Sequence, residues 1–210
     1  MNITTRKTNA FYGNTPIDQM RVIKNEGDWD IDEANTFTNN ISTQFFNNIG
    51  EQDIKLQLVY YFRDTNFFVS SKFFGKEQGF QAPSTDNYDF DENLFKNVDM
   101  ILINRVKPST EGGNSAKNDC LWRALKQSLG THLKILPSTL KRHLKLPRNN
   151  LIDYRLMPKI EDKVKASINV VGDYTLISTK DYPFKCSVEL KANHYTYKPN
   201  RTVFEMLYSQ

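Results

Sequence analysis

Apolar positions along the chain fall into two periods. Phe37, Ile41, Phe45 and Ile49 recur every four residues and mark one face of a helix. An acidic turn, residues 27–33, precedes it and suits the positive end of a helix, and Gly50 is placed to stop it. Leu56, Leu58, Val59, Tyr60, Tyr61 and Phe62 then form an apolar, aromatic run that predicts a strand over 55–62. A turn at 63–66 and a second run over 67–74 complete a predicted hairpin. Residues 100–103 read as a short buried strand. Residues 1–27 lack a clear period and read as irregular. Residues 75–97 read as a loop carrying Asp86, Asp89, Asp91 and Glu92.

The second half changes pattern. A turn-rich connection with Gly112, Gly113, Asn114 and Ser115 leads into Leu121, Ala124, Leu125, Ser128 and Leu129, which share one helical face. Two shorter helices are expected. The first covers 137–144, capped by Ser138 or Thr139 and ended by Pro147; the second covers 158–164, with Pro158 at its start. Strands follow at 168–171, at 174–177 after a turn at Gly172-Asp173, at 186–190 and at 194–197. Val203, Phe204 and Leu207 close the chain apolarly. Helices followed by a sheet define an α+β class. Two regions are expected, 1–110 and 111–210.

Composition narrows this picture. Aromatic residues at 12% and charged residues at 25% fit a folded chain rather than a disordered one. No run of about 18 apolar residues occurs, so no membrane span is expected. The first residues lack the apolar core of a secretory leader. Two widely separated cysteines fit a reducing, intracellular compartment, and with three histidines they leave little for a zinc site; no metal is expected. Residues 1–110 carry 11 Lys/Arg against 15 Asp/Glu, and residues 111–210 carry 17 against 9. That basic second half is read as lysines on solvated helix faces rather than as a nucleic-acid surface.

The candidate chemistry begins at Cys120. The helical pattern puts it in the first turn, where free N–H groups and the helix dipole favour a thiolate over a thiol. A thiolate so placed is a nucleophile. His194 follows in a strand-like context, and Cys-on-helix before His-on-strand is the papain-like order. Cys186, in an alternating strand, reads as core. His132 and His143, near helix ends, read as surface or dipole-balancing residues.

The stretches Asp119-Cys120-Leu121-Trp122-Arg123-Ala124 and Asn193-His194-Tyr195 resemble the two signatures of the OTU family of cysteine proteases. The likeness covers about residues 112–198, and residues 158–174 resemble divergent OTU-like domains of large DNA viruses and mobile elements. Two positions depart from the family pattern. Lys117 stands where the family has Asp, and Thr196 stands where many members have Asp or Asn. The resemblance implies a papain-like fold, with the Cys at a helix N-terminus packed on a small antiparallel sheet carrying the His. It implies a thiol-dependent deubiquitinase, with ubiquitin or a ubiquitin-like protein as partner, no cofactor, and the cytoplasm, that of a host cell included, as its place. Backbone N–H groups over Asn118, Asp119 and Cys120 would hold the oxyanion. Asp173, Asn193 and Asn200 are candidates to orient His194, Asp173 first, while Asp119 braces the loop. The acidic, aromatic front half is expected to help bind the modifier. The alternatives are a protease acting on a viral or mobile-element polyprotein, an OTU-like domain that only binds, and a nucleic-acid-binding protein using the basic half.

Overall fold

The computed structural model describes residues 1–48, 53–63, 67–84, 97–113 and 117–199. They form two compact units, Met1–Pro108 and Ser109–Gln210. Expectations at Ile49 and Gly50, at most of the 63–66 turn, at the acidic residues 86–92, at Asn114 and Ser115, and at Asn200 and the 203–207 segment lie outside the described residues.

The first unit is an antiparallel sheet with one long helix. Its strands are β1 (Asn2–Tyr12), β2 (Thr15–Ile23), β3 (Trp29–Asp30), β4 (Lys55–Phe62), β5 (Phe67–Ser70), β6 (Asn97–Val98) and β7 (Met100–Val106); α1 is Ile31–Asn47. Five strands lie in the order β1-β2-β7-β4-β5, and β3 pairs with β6. The first 27 residues are therefore a hairpin, not irregular chain. β1 is exposed at nearly every position, so no apolar alternation marks it. Its register against β2 runs through the Gly13-Asn14 turn, a two-residue hairpin signal, with Gly13 at φ 62°. β5 ends at Ser70, four residues short of the expected strand, and Phe74 rejoins β4 through a single bridge to Leu56.

Helix α1 starts where the acidic turn predicts, with the Asp30 carboxylate accepting the Glu33 N–H at 2.7 Å. Its most buried stripe is Ala34, Thr38, Ser42 and Phe46, while Phe37, Ile41 and Phe45 are only half-buried. Small residues line this buried face, and the Tyr60 hydroxyl of β4 is satisfied there: it is hydrogen-bonded to the Thr38 hydroxyl at 2.8 Å and donates to Asn35 Oδ1 at 2.8 Å. Burial pushes the Tyr60 phenol up to about 12.

The second unit carries β8 (Glu111–Gly112), α2 (Cys120–Leu129), α3 (Pro137–His143), β9 (Ile152–Asp153), α4 (Met157–Val164), β10 (Ala166–Gly172), β11 (Phe184–Lys191) and β12 (His194–Lys198). Leu121, Leu125 and Leu129 of α2 bury against a core that includes Ile168, Val170, Val188 and Leu190. Each such side chain contributes about 1.5–3 kcal/mol by leaving water. The Trp122 indole N–H donates to the Ile135 carbonyl at 2.9 Å and ties α2 to the segment before α3. α3 ends at His143, short of Pro147, with Lys145 left-handed at φ 57°.

The sheet is β10-β11-β12, and it is mixed rather than antiparallel: β10 and β11 run parallel, and β11 and β12 antiparallel. Residues 174–177 do not form the expected strand. They make one bridge, Val170 to Leu176. The chain then returns along β10, where the Ser178 N–H meets Asn169 Oδ1 and the Tyr182 N–H meets Ser167 Oγ. A parallel pair needs such a crossover, and polar residues 178–182 supply one without helical or alternating apolar pattern. Mixed α+β is thus the class observed. No helix of the described residues is long and apolar enough to cross a membrane.

Candidate active site

Cys120 is the first residue of α2, and His194 opens β12. The two strands leading to His194 are joined by Ala192 and Asn193, both left-handed at φ 49° and 64°. That is the backbone of a two-residue hairpin turn, with Lys191 and His194 as the closing pair. The next amide, Tyr195 N–H, is turned away from β11 and donates to Cys120 Sγ at 3.5 Å. The helix start and the histidine strand are joined at the thiol itself. Cys120 is 3% exposed. His194 is half-buried, and its Nδ1 is fully buried with no hydrogen-bond partner among the described residues. An imidazole nitrogen buried without a partner is costly unless another group takes it up, which makes it a candidate acceptor for a proton.

The loop before Cys120 is held from two sides. On the hairpin side, the Gly113 N–H donates to the Asn193 carbonyl at 2.7 Å, and Asn193 Nδ2 reaches the Glu111 carbonyl at 3.4 Å. Asn193, 3% exposed, thus links the turn to β8. A Cβ at Gly112 would lie 2.3 Å from the Tyr195 ring, and one at Gly113 would lie 2.7 Å from Asn118 Cβ. Only glycine lets the loop pass this close.

On the other side stands the 145–151 loop. Arg148 grips the Asp119 carboxylate with both guanidinium nitrogens at 2.6 Å, and also donates to the Lys117 carbonyl at 3.1 Å. Asn118, left-handed at φ 50°, donates through Nδ2 to the Asn149 carbonyl at 2.5 Å. Lys141 of α3, 3% exposed, donates to the Asn150 carbonyl. Hydrogen bonding to Arg148 holds the Asp119 carboxyl below its usual range, and burial pushes the Lys141 ammonium down.

Asp119 occupies the N-cap position of α2, yet its side chain makes no cap hydrogen bond. Its carbonyl accepts the Arg123 N–H at 3.0 Å. No described group accepts the N–H of Cys120, Leu121 or Trp122, so the positive end of the helix stays open beside the thiol.

The other expected residues are placed as follows. The Asp173 carboxylate accepts the Ala192 N–H at 2.8 Å, and its own N–H donates to the Leu190 carbonyl at 2.7 Å. It braces the turn that delivers His194. Cys186 is 1% exposed in β11, and burial pushes its thiol up to about 12. His132 stacks on Phe184 with ring centroids 3.9 Å apart, and His143 Nε2 lies 3.3 Å from the Lys159 carbonyl. Arg148, Lys141 and Tyr195 are absent from the expected site. Tyr195 was within reach as the aromatic after the histidine, but Arg148 sits in Pro147-Arg148-Asn149-Asn150, where only turn chemistry is readable. Among the described residues no three His, Cys, Asp or Glu side chains converge as a metal site.

No protein-family model, curated protein or solved structure matches this chain.

Proposed function

We propose that the chain is a cysteine-dependent isopeptidase of the OTU kind, removing ubiquitin or a ubiquitin-like modifier from proteins. The observation that carries this reading is Cys120 at the open N-terminus of α2, bonded to the amide that follows His194, with His194 Nδ1 buried and unpartnered. The modifier class comes from the likeness of the Cys120 and His194 stretches to the OTU signatures.

The chemistry follows from the groups present. His194 takes the Cys120 proton, and the thiolate attacks the carbonyl carbon of the modifier's C-terminal glycine. The carbonyl π bond becomes an oxyanion beside the open N–H groups of α2. On collapse the C–N bond breaks, and His194 returns its proton to the leaving lysine amine. Water, deprotonated by His194, then attacks the thioester and releases the modifier's carboxylate and the thiol. Asp119 and Arg148 hold the loop, and Asp173 and Asn193 hold the turn; none of these needs to exchange a proton.

Covalent capture by ubiquitin carrying a C-terminal thiol-reactive warhead tests the reading. An adduct on the native chain that Cys120→Ala abolishes supports it. Absence of an adduct on a folded chain whose Cys120 still alkylates with iodoacetamide would move the substrate to a polyprotein or another modifier.

A further inference from the structure

The Asp119–Arg148 pair does something that an ordinary loop ion pair does not. Aspartate is among the strongest N-cap residues, because its carboxylate accepts the N–H of the second or third helical residue. Asp119 stands at that position in α2 and does not cap. Both of its oxygens are engaged by Arg148 at 2.6 Å, on the side of the 145–151 loop. Its backbone, at φ −98° and ψ 13°, is also outside the extended region that capping residues adopt. Arg148 is anchored in turn by the Lys117 carbonyl, and its neighbours Asn149 and Asn150 are tied to Asn118 and Lys141.

We propose that Arg148 is a positioning residue that holds the Asp119 carboxylate off the end of α2, keeping the Leu121 and Trp122 N–H groups open and a negative charge away from Cys120. The inference rests on reading Cys120 as the nucleophile. A capping carboxylate would occupy the donors that an oxyanion needs, and would oppose a thiolate one residue away. Arg148 removes both obstacles with one bidentate contact, and a lysine cannot reproduce that fork. The other charged or titratable groups around the thiol are Lys141 of α3, Arg123 of α2, and His194 and Tyr195 of β12. Burial and the nearby Cys120 charge hold the Tyr195 phenol well above its usual range, so it stays neutral. Arg123 is cationic in every variant below; burial pushes the Lys141 ammonium down, and Asp119 and Arg148 act on it in opposite directions.

Iodoacetamide alkylation of Cys120 across pH reads this without any modifier. Arg148→Ala is expected to lower the Cys120 rate near neutral pH by about tenfold while leaving its high-pH plateau, where the Cys120 thiol is fully ionised in either chain, within about twofold of the native chain. The Asp119→Ala/Arg148→Ala double variant is expected to recover most of the loss. A merely structural role for Arg148 would make the double variant no better than the single, and that result overturns the proposal. So does an unchanged neutral-pH rate in Arg148→Ala. If Arg148→Ala does not fold, Arg148→Lys takes its place: a severalfold neutral-pH loss rescued by Asp119→Ala supports the proposal, and a native rate overturns it. A ubiquitin probe that fails on the native chain leaves these alkylation outcomes standing and refutes only the modifier.

Discussion

The Tyr195 amide donates to Cys120 Sγ at 3.5 Å across 75 residues of sequence. The strand that carries His194 and the helix that carries the thiol meet at one backbone hydrogen bond. The Tyr195 side chain fixes the same junction from below: it is 1% exposed, its hydroxyl donates to the Ile152 carbonyl at 3.1 Å, and its ring fills the space beside Gly112.

Gly112→Ala therefore drives a methyl into the Tyr195 ring, at 2.3 Å before relaxation. The expected loss is about 1–3 kcal/mol, the cost of overpacking a filled site. Urea unfolding followed by far-UV circular dichroism measures it. A midpoint equal to that of the native chain would mean that the ring and loop are not packed as described.

Asp119 makes stability depend on acid. Its folded carboxyl lies below the ordinary value of 3.8, first because of hydrogen bonding to Arg148. A depressed carboxyl stabilises fully above the unfolded value, and that stabilisation is lost as pH falls through the folded one. Asp153 and Asp162 are also held low and share the acid limb. The readout is accordingly the difference between the native chain and Asp119→Asn. Their urea midpoints should be furthest apart at neutral pH and converge as pH falls through and below the ordinary carboxyl value of 3.8. A constant gap would contradict the pairing.

The two cysteines should behave differently. Burial holds Cys186 up at about 12, so it resists alkylation until the chain unfolds. Mass spectrometry after brief iodoacetamide treatment should find the label on Cys120, and the Cys120→Ala protein should take up almost none. Rapid native labelling of Cys186 would contradict its place in the core. The same shift carries a stability sign. The unfolded thiol ionises above the ordinary value of 9.0 and the folded one does not, so stability falls as pH rises from there towards about 12.

Asp173 separates two roles. Its carboxylate accepts the Ala192 N–H at 2.8 Å, a bond that an amide oxygen can also make. Asp173→Asn should keep probe capture within about threefold, and Asp173→Ala should lose about tenfold through a looser turn, by the size of one hydrogen bond. A loss of about a hundredfold or more in Asp173→Asn would instead make the carboxylate the group that orients the imidazole.

Much of this site could be read along the chain because its parts are local patterns. The α2 face, the cysteine at its start and the alternating strands around Cys186 and His194 follow from periods of 3.6 and 2 within ten residues. What escaped is long-range or unpatterned. β1 has almost no buried position, so its strand state comes from pairing with β2 rather than from apolar alternation. The parallel pairing of β10 with β11 depends on a polar crossover. Arg148 meets Asp119 across 29 residues through a turn that carries no periodic signal. The α1 stripe was displaced because Thr38 and Ser42 bury through hydrogen bonds, to Tyr60 and to helix carbonyls, which an apolar count overlooks.

Cys120 and His194 are proposed to act together as nucleophile and base on a modifier's C-terminus. Time-resolved capture by a warhead-bearing ubiquitin probe, on the native chain, Cys120→Ala and His194→Ala, tests it most directly. A single adduct mapped to Cys120 is expected, with none on Cys120→Ala and capture slowed by about a hundredfold or more on His194→Ala. Capture undiminished in His194→Ala, or an adduct that survives Cys120→Ala, would contradict it.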